Sequence, residues 1–300
     1  MSTAHQKMSR MAAAGLLTNA ALVAVKLSAG LIGNSYALVA DAIESSLDVF
    51  ASLIVWRAIQ VAARPPDEDY PYGYGRAESL AASVVSMMLL VAALGIGISS
   101  IREILTPHHS PAPFTLVVLV LVIIVKETLF RTVFKVSQST RSVSLESDAW
   151  HHRSDALTSA AAFIGILVSL VGGPGWAAAD DWAALLAAFV IGANGTRLLR
   201  QAARDLMDRQ PLGEVSTRIE AVARSVPGIE RIEKLRLRRM GTQYQVDIHA
   251  QADGNLSLRA AHDLGGALRG TLREQVPEVL DVLVHMEPVD GASNQPKRQD

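Results

Sequence analysis

Two short stretches in the apolar part of this chain carry charge that a hydrocarbon environment would oppose. The first, ADAIESSLDVFASLIVW, sets Glu44 and Asp48 four residues apart, with Asp41 one turn earlier. The second, DAWHHRSDALTSAAAFIGILVSL from Asp148, sets His151 and Asp155 at the same spacing. Residues at i and i+4 share a helix face, roughly 6 Å apart at Cβ, so each stretch offers two ligands in one direction. Two like charges that close repel unless a cation sits between them or one carboxyl holds a proton. A single acid pair near a helix end reads most simply as a solvated terminal turn. Two pairs in separate apolar segments, where each ionisable group costs roughly 2.5–3.5 kcal/mol on insertion scales, point instead to a purpose.

Three carboxylates and one imidazole drawn from two facing helices suit Zn²⁺ or a similar first-row dication in tetrahedral coordination. They are too few and too nitrogen-bearing for a calcium cage. The same groups accept protons, so metal binding and protonation compete, with His151 the natural exchange partner near neutral pH. His152 follows His151 by one helical step of about 100°, and Asp148 lies a turn earlier; both are expected to line the way in or to cap the helix. Asp41 is expected to support the ligands or the helix N-terminus.

The elements that must position these groups follow from composition. Half of the 300 residues are hydrophobic and only 19 % are charged, which places the chain in the membrane class. A bilayer core needs about 20 apolar residues in helix. Six segments qualify: 11–32, 36–62, 80–104, 114–134, 149–171 and 182–199. Breakers separate them, including Gly33-Asn34, Pro65-Pro66, the Tyr-Gly cluster to Gly75, Thr106-Pro107 and the Gly172-Gly173-Pro174-Gly175 run. Lys7 and Arg10 before the first apolar run resemble a signal peptide, but the run continues past Lys26 and is expected to remain as a span. Arg and Lys gather at the N-terminus, around Arg64 and Arg76, around Arg131 to Arg141 and from Arg197 onward, which places both termini in the cytoplasm.

After Pro211 the pattern changes to helix 214–225, strand 231–239, strand 243–252, helix 257–275 and strand 280–287. This is a small αββαβ unit with one three-stranded sheet. The expected division is a six-helix transmembrane domain over 1–210, a soluble α+β domain over 211–290 and a disordered tail over 291–300. Alternation puts His249 on a strand face with Asp247, and His285 with Leu283 and Glu287, opposite Val282, Val284 and Met286. A net charge of −1 with scattered basic residues argues against a nucleic-acid partner. The chain has no cysteine, so disulfides and thiolate ligands are excluded.

SYALVADAIESSLD from Ser35, YPYGYGRAE from Tyr70, HHRSDALTS from His151 and LVHMEP from Leu283 together resemble the cation diffusion facilitator family over almost the whole chain. The resemblance implies a homodimeric, proton-coupled exporter of divalent metal in a bacterial inner membrane. Zinc is the leading substrate, with iron, manganese or cadmium as alternatives. It implies a transport site of Glu44, Asp48, His151 and Asp155, the set the spacing selects. It also implies a dimer-interface metal site in the soluble domain at Glu233, His249, His262, His285 and Glu287.

Three positions depart from the family pattern or need a partner to match it. Glu44 stands where zinc-transporting members carry His or Asp, and its harder carboxylate favours harder metals. Asp67, Tyr70 and Tyr74 replace an acid and two histidines, and a neutral phenol is a poor zinc ligand, so that loop site is expected to be empty or very weak. Arg76 is expected to meet Asp208. Two other classes fit less well. An intramembrane metallohydrolase would need an open coordination position and a general base, and no HExxH occurs. A non-transporting sensor or scaffold partner would use the same domains without moving the ion.

Overall fold

The computed structural model describes the backbone of residues 3–105, 111–140, 143–211, 213–241 and 243–289, and the side chains there except at 3–16, 137, 139–140, 143–148, 151 and 174. The break at Thr106-Pro107 and the expected tail over 291–300 lie outside these residues. Among the described residues six long helices come first: α1 (Thr3–Ile32), α2 (Tyr36–Ala62), α3 (Ala77–Leu105), α4 (Phe114–Thr140), α5 (Val143–Val171) and α6 (Ala179–Leu206). A single turn of 3₁₀ helix, Pro174–Trp176, precedes α6. At 27 to 30 residues each, they extend about 40–45 Å, more than a hydrocarbon core requires. Every expected span lies within one of them.

Ala77–Leu105, His152–Val171 and Ala179–Leu206 are long and apolar enough to cross a membrane by composition alone, and α1 adds a shorter apolar run, Leu17–Ile32. In α2 the apolar sequence is interrupted by Asp41, Glu44, Asp48 and Arg57, and in α4 by Lys126, Glu127 and Arg131. The surface distribution is inverted relative to a water-soluble bundle. Leu31, Phe50, Val91, Leu121 and Phe189 are exposed, while Lys26, Asp41, Ser45, Lys126, Asp155 and Ser159 are buried. An apolar exterior around a polar interior is what a hydrocarbon solvent selects.

The chain forms two compact units. One comprises the helical chain up to Val55 together with Ser83–Leu199; the other comprises Trp56–Ala82 and the chain from Arg200 onward. In the first unit, α1 ends with Asn34 in the left-handed region at φ 49°, and the Ser35 N–H closes back on the Gly30 carbonyl at 3.0 Å. That bond satisfies one of the carbonyls a helix end leaves without a partner. Ser35 then caps α2 by accepting from the Leu38 N–H at 3.1 Å, and donates to Asp180 at 2.8 Å. Asp180, in the first turn of α6, also accepts from the Tyr36 N–H at 2.7 Å. One carboxylate thus satisfies orphan donors at the start of the helix that carries the acids. Helices α5 and α6 approach so closely that a Cβ on Gly165 would lie 2.4 Å from that of Ala183, the small-residue packing common between membrane helices.

In the second unit, α7 (Glu214–Arg224) and α8 (Leu258–Gln275) cover a sheet of β1 (Arg231–Met240), β2 (Gln243–Ala252) and β3 (Val279–Pro288), in the order β1-β2-β3. β1 and β2 are antiparallel, and β2 and β3 are parallel. Ile219, Ala223, Val246, Ile248, Leu268, Leu272 and Val282 are among its buried core residues. Ser257 caps α8, accepting from the Ala260 N–H at 3.2 Å.

The same unit holds the expected Arg76–Asp208 pair at 2.5 Å. Asp208 sits just past α6 at φ 56°, where the Arg209 N–H reaches the Arg204 carbonyl at 2.9 Å. Its left-handed backbone suits Gly or Asn better than most side chains, and Arg76 engages its carboxylate. Both side chains are more than a third exposed, so the pair itself contributes at most about 1 kcal/mol. Asp208→Ala is therefore expected to destabilise the region by about 1 kcal/mol more than Arg76→Ala, because alanine must also adopt the left-handed conformation. Hydrogen exchange over residues 200–210 measures the two; equal effects would show that the backbone term is absent.

Candidate metal sites

Helix α2 carries Asp41, Glu44, Ser45 and Asp48; α5 carries Asp155 and Ser159. Asp41 is buried and pairs with Lys26 of α1 at 2.8 Å. Ser159 donates to Asp41 at 2.9 Å and accepts from the Lys26 ammonium at 3.1 Å, while Ser45 accepts from the same ammonium at 3.1 Å. Asp155 pairs with Lys126 of α4, which also donates to Asn19 of α1 at 2.9 Å. Glu44 is half-buried and lies within electrostatic reach of Asp48, Asp41 and Asp155, and of Lys26. Three of the four expected transport ligands, from two helices, thus share one electrostatic neighbourhood. The fourth, His151, belongs to α5 one turn before Asp155, and its side chain lies outside the described residues.

A cavity of about 130 Å³ opens between α2, α5 and α6 beside these acids, lined by Asp41, Glu44 and Thr158 among alanines, Leu186 and Val190. A water molecule occupies about 30 Å³ in the liquid, so the space admits a cation with part of its hydration. Its polar wall is the acid face of α2.

Two features differ from the sequence expectation. His152 does not line an entrance or cap the helix: it is buried, with 1 % of its surface exposed, because its step around α5 turns it into the bundle. Asp41 does more than support ligands, since it holds a buried ammonium. Lys26 and Lys126, at 0 % and 1 % exposed, were missed altogether. Their signal was available: a lysine within an apolar segment is subject to the same insertion cost that singled out the acids.

In the C-terminal unit, His249 and His285 face each other across the parallel β2–β3 register, with ring centroids 4.8 Å apart. His249 Nδ1 lies 2.7 Å and His285 Nε2 3.5 Å from Glu287 Oε1. Ligand atoms of these three residues all fall within 4.8 Å of one another. Glu233 joins them through an irregularity. Ile232 pairs with Ala250 and Lys234 with His249, so Glu233 is the extra residue of a β-bulge, a device that re-aims a side chain. Gln251 donates to Glu233 at 3.1 Å and accepts from Arg231 at 2.8 Å. Hydrogen bonding with Glu233 first, and with His249 after it, holds the Glu287 carboxyl below its usual range against partial burial.

His262 is not brought to this cluster within one chain. It is exposed on α8, in a groove beside Val282, Val284 and Met286, the face of β3 opposite His285. The expected five-residue set therefore divides into four residues on one sheet face and His262 on the other.

In the loop before α3, Tyr74 donates its hydroxyl to Asp67 at 2.5 Å, and the Tyr70 N–H reaches the other carboxylate oxygen at 2.8 Å. The two rings pack at 4.4 Å. The Tyr74 hydroxyl, followed by the Tyr70 amide, pulls the Asp67 carboxyl below its ordinary value. Both of its oxygens have protein donors.

Comparison with known proteins covers nearly the full length of the chain. Residues 12–207 match the Cation efflux transmembrane domain, and residues 211–289 match the Cation efflux protein, cytoplasmic domain. The manganese efflux system protein MneP of Bacillus subtilis is 30 % identical over 96 % of this chain and 99 % of its own length. The magnetosome protein MamB of Paramagnetospirillum magneticum is 31 % identical over 88 % of each chain. The cation-efflux pump FieF of Shewanella oneidensis is 31 % identical over 92 % of each. A transmembrane domain model followed by a cytoplasmic domain model together span nearly the whole chain, and the chain belongs to the cation diffusion facilitator family of cation-efflux transporters.

Proposed function

We propose that this protein is a homodimeric, proton-coupled antiporter that exports a divalent transition metal from the cytoplasm by alternating access. The observation that carries the reading is that Glu44 lines a cavity between α2, α5 and α6 and lies within electrostatic reach of Asp48 on its own helix and of Asp155 on α5. His151, one turn before Asp155 on α5, is the fourth ligand of this reading. The ion enters from the cytoplasm and is held by these four groups; a rocking of helices turns the site outward, where protons compete it off. Proton return down the membrane potential supplies about 2.3 kcal/mol per charge per 100 mV. No bond is made or broken in this cycle, so the protein is not an enzyme. Both termini lie in the cytoplasm, and a bacterial inner membrane is the setting.

The domain limits are 1–210 for the transmembrane part and 211–290 for the part that dimerises. Glu233, His249, His285 and Glu287 hold regulatory metal there, with His262 supplied from the other face of a domain. The loop of Asp67, Tyr70 and Tyr74 is empty or binds metal very weakly, because its carboxylate already accepts from the Tyr74 hydroxyl and the Tyr70 amide. Zinc is the leading substrate for a four-ligand site with an imidazole. Manganese is the second reading, supported by the harder carboxylate of Glu44 and by a relative named for manganese efflux.

In vesicles loaded with a pH dye, Asp48→Ala and Asp155→Ala are each expected to lower metal-driven pH change at least a hundredfold, without covalent change to any substrate. Transport that persisted in both variants would remove the tetrad from the mechanism and favour a non-transporting sensor. Glu44→His is expected to shift the Zn²⁺ over Mn²⁺ binding preference at least tenfold toward zinc, read by calorimetric titration. An unchanged ratio would show that Glu44 does not touch the metal.

A further inference from the structure

Gln251 lies in the middle of the cytoplasmic cluster, and the four residues that converge there do not account for it. It stands in β2 opposite Arg231 of β1 and Glu287 of β3, two residues beyond His249 on the same strand face. At 5 % exposed, its amide is shielded from water, and protein groups must satisfy it.

Both ends of that amide are engaged. Arg231 Nε donates to Gln251 Oε1 at 2.8 Å, and Gln251 Nε2 donates to Glu233 Oε2 at 3.1 Å. A guanidinium has donors and no acceptor, so the end of the amide that faces Arg231 is necessarily the oxygen. The nitrogen is thereby directed at Glu233, whose carboxylate receives it. With its oxygen committed to Arg231, Gln251 is not itself a candidate ligand.

Glu233 needs this direction more than its neighbours do. Strand register sets His249 opposite His285, and alternation along β3 puts Glu287 on the same face as His285. Glu233, the extra residue of the bulge between Ile232 and Lys234, has no register partner in β2. It is exposed on the strand, and its long side chain gives up rotamer freedom when an ion fixes it. An amide already holding Oε2 meets part of that cost before the ion arrives and favours coordination through Oε1 alone.

We propose that Gln251 is a positioning residue of the cytoplasmic metal site, whose amide, set by Arg231, holds Glu233 ready to bind a divalent cation through one oxygen. This inference rests on the reading of Glu233, His249, His285 and Glu287 as metal ligands. Neither Gln251 nor Arg231 touches the ion. The bulge brings Glu233 to the cluster, and the amide keeps it there.

The test is Zn²⁺ titration of the purified full-length protein in detergent, in an Asp48→Ala, Asp155→Ala background that removes two ligands of the transport site. Gln251→Leu keeps a buried side chain of similar size and removes both hydrogen bonds. It is expected to weaken the remaining Zn²⁺ binding at least tenfold, as loss of a group that orients a ligand does. Arg231→Met is expected to weaken it at least twofold. The sign is diagnostic, because removing a nearby cation would by Coulomb attraction alone tighten the hold on a dication. Arg231 is exposed, so this variant remains informative where Gln251→Leu does not fold. In a Glu233→Ala chain, itself at least tenfold weaker, adding Gln251→Leu is expected to change affinity less than twofold, since its target is gone.

A smaller loss in any of the three single variants would overturn the proposal. So would a further loss of twofold or more on adding Gln251→Leu to Glu233→Ala, which would mark a role in the strand and not in placing Glu233. His285→Ala in the same background distinguishes the two levels. If the Zn²⁺ stoichiometry does not fall, the cytoplasmic site itself fails. If it falls while the Gln251 and Arg231 variants bind as the background does, only the positioning role fails.

Discussion

Ionised side chains inside a bilayer-spanning bundle persist only where other charges or hydrogen bonds compensate them, and the arrangement of α1, α2, α4 and α5 follows from that constraint. Each buried acid of the bundle that has a described ion-pair partner meets a lysine from a neighbouring helix: Asp41 meets Lys26 and Asp155 meets Lys126. These pairs tie α1 to α2 and α4 to α5, and Ser159 and Asn19 knit α5 and α1 into the same network. Many large apolar side chains turn outward, since lipid offers them as good a solvent as protein does, while Leu38, Ile96, Leu119, Ile166 and Ile191 still pack in a buried cluster between the helices. Specific contact between the helices comes from polar groups and from small residues such as Gly165 as well as from this cluster.

Helix ends matter as much as helix faces. The acids of α2 are useful only if α2 begins at a fixed depth and rotation. That start is fixed three ways: by the left-handed Asn34, by the Ser35 cap, and by Asp180 reaching across from α6 to the first amides. At the far end of α6, Asp208 takes the comparable left-handed position and is met by Arg76. Carboxylates thus serve as helix-terminal partners in one place and as candidate ligands in another, and burial with partner type distinguishes the two uses.

Much of this was legible in the sequence because periodicity and cost are sequence properties. The spans, the αββαβ order, the i, i+4 pairs and the alternation that puts His285 and Glu287 on one strand face all follow from spacing, whereas the grouping of His249 with them came from resemblance to the family. The Arg76–Asp208 contact followed from resemblance to the family. What was not legible depends on three-dimensional neighbours. No local pattern says that Lys126 meets Asp155, 29 residues away, or that Asp180 reaches Ser35. The β-bulge that turns Glu233 toward Glu287 is a one-residue mismatch between two strands, visible only in their register. His262 was grouped with the other cytoplasmic residues by motif, yet α8 lies on the face of β3 that His285 does not share. His152 was judged from its distance to His151 alone, whereas the packing of α5 decides where it points.

The central claim is that acids of α2 and an imidazole and acid of α5 enclose one dication. Anomalous scattering from crystals of the full-length protein loaded with Zn²⁺ or Mn²⁺ tests it most directly. The account predicts one strong peak in each membrane domain about 2.0–2.2 Å from oxygens of Glu44, Asp48 and Asp155 and from a nitrogen of His151. A peak elsewhere in the bundle, or metal bound only in the cytoplasmic domain at saturating concentration, would contradict it.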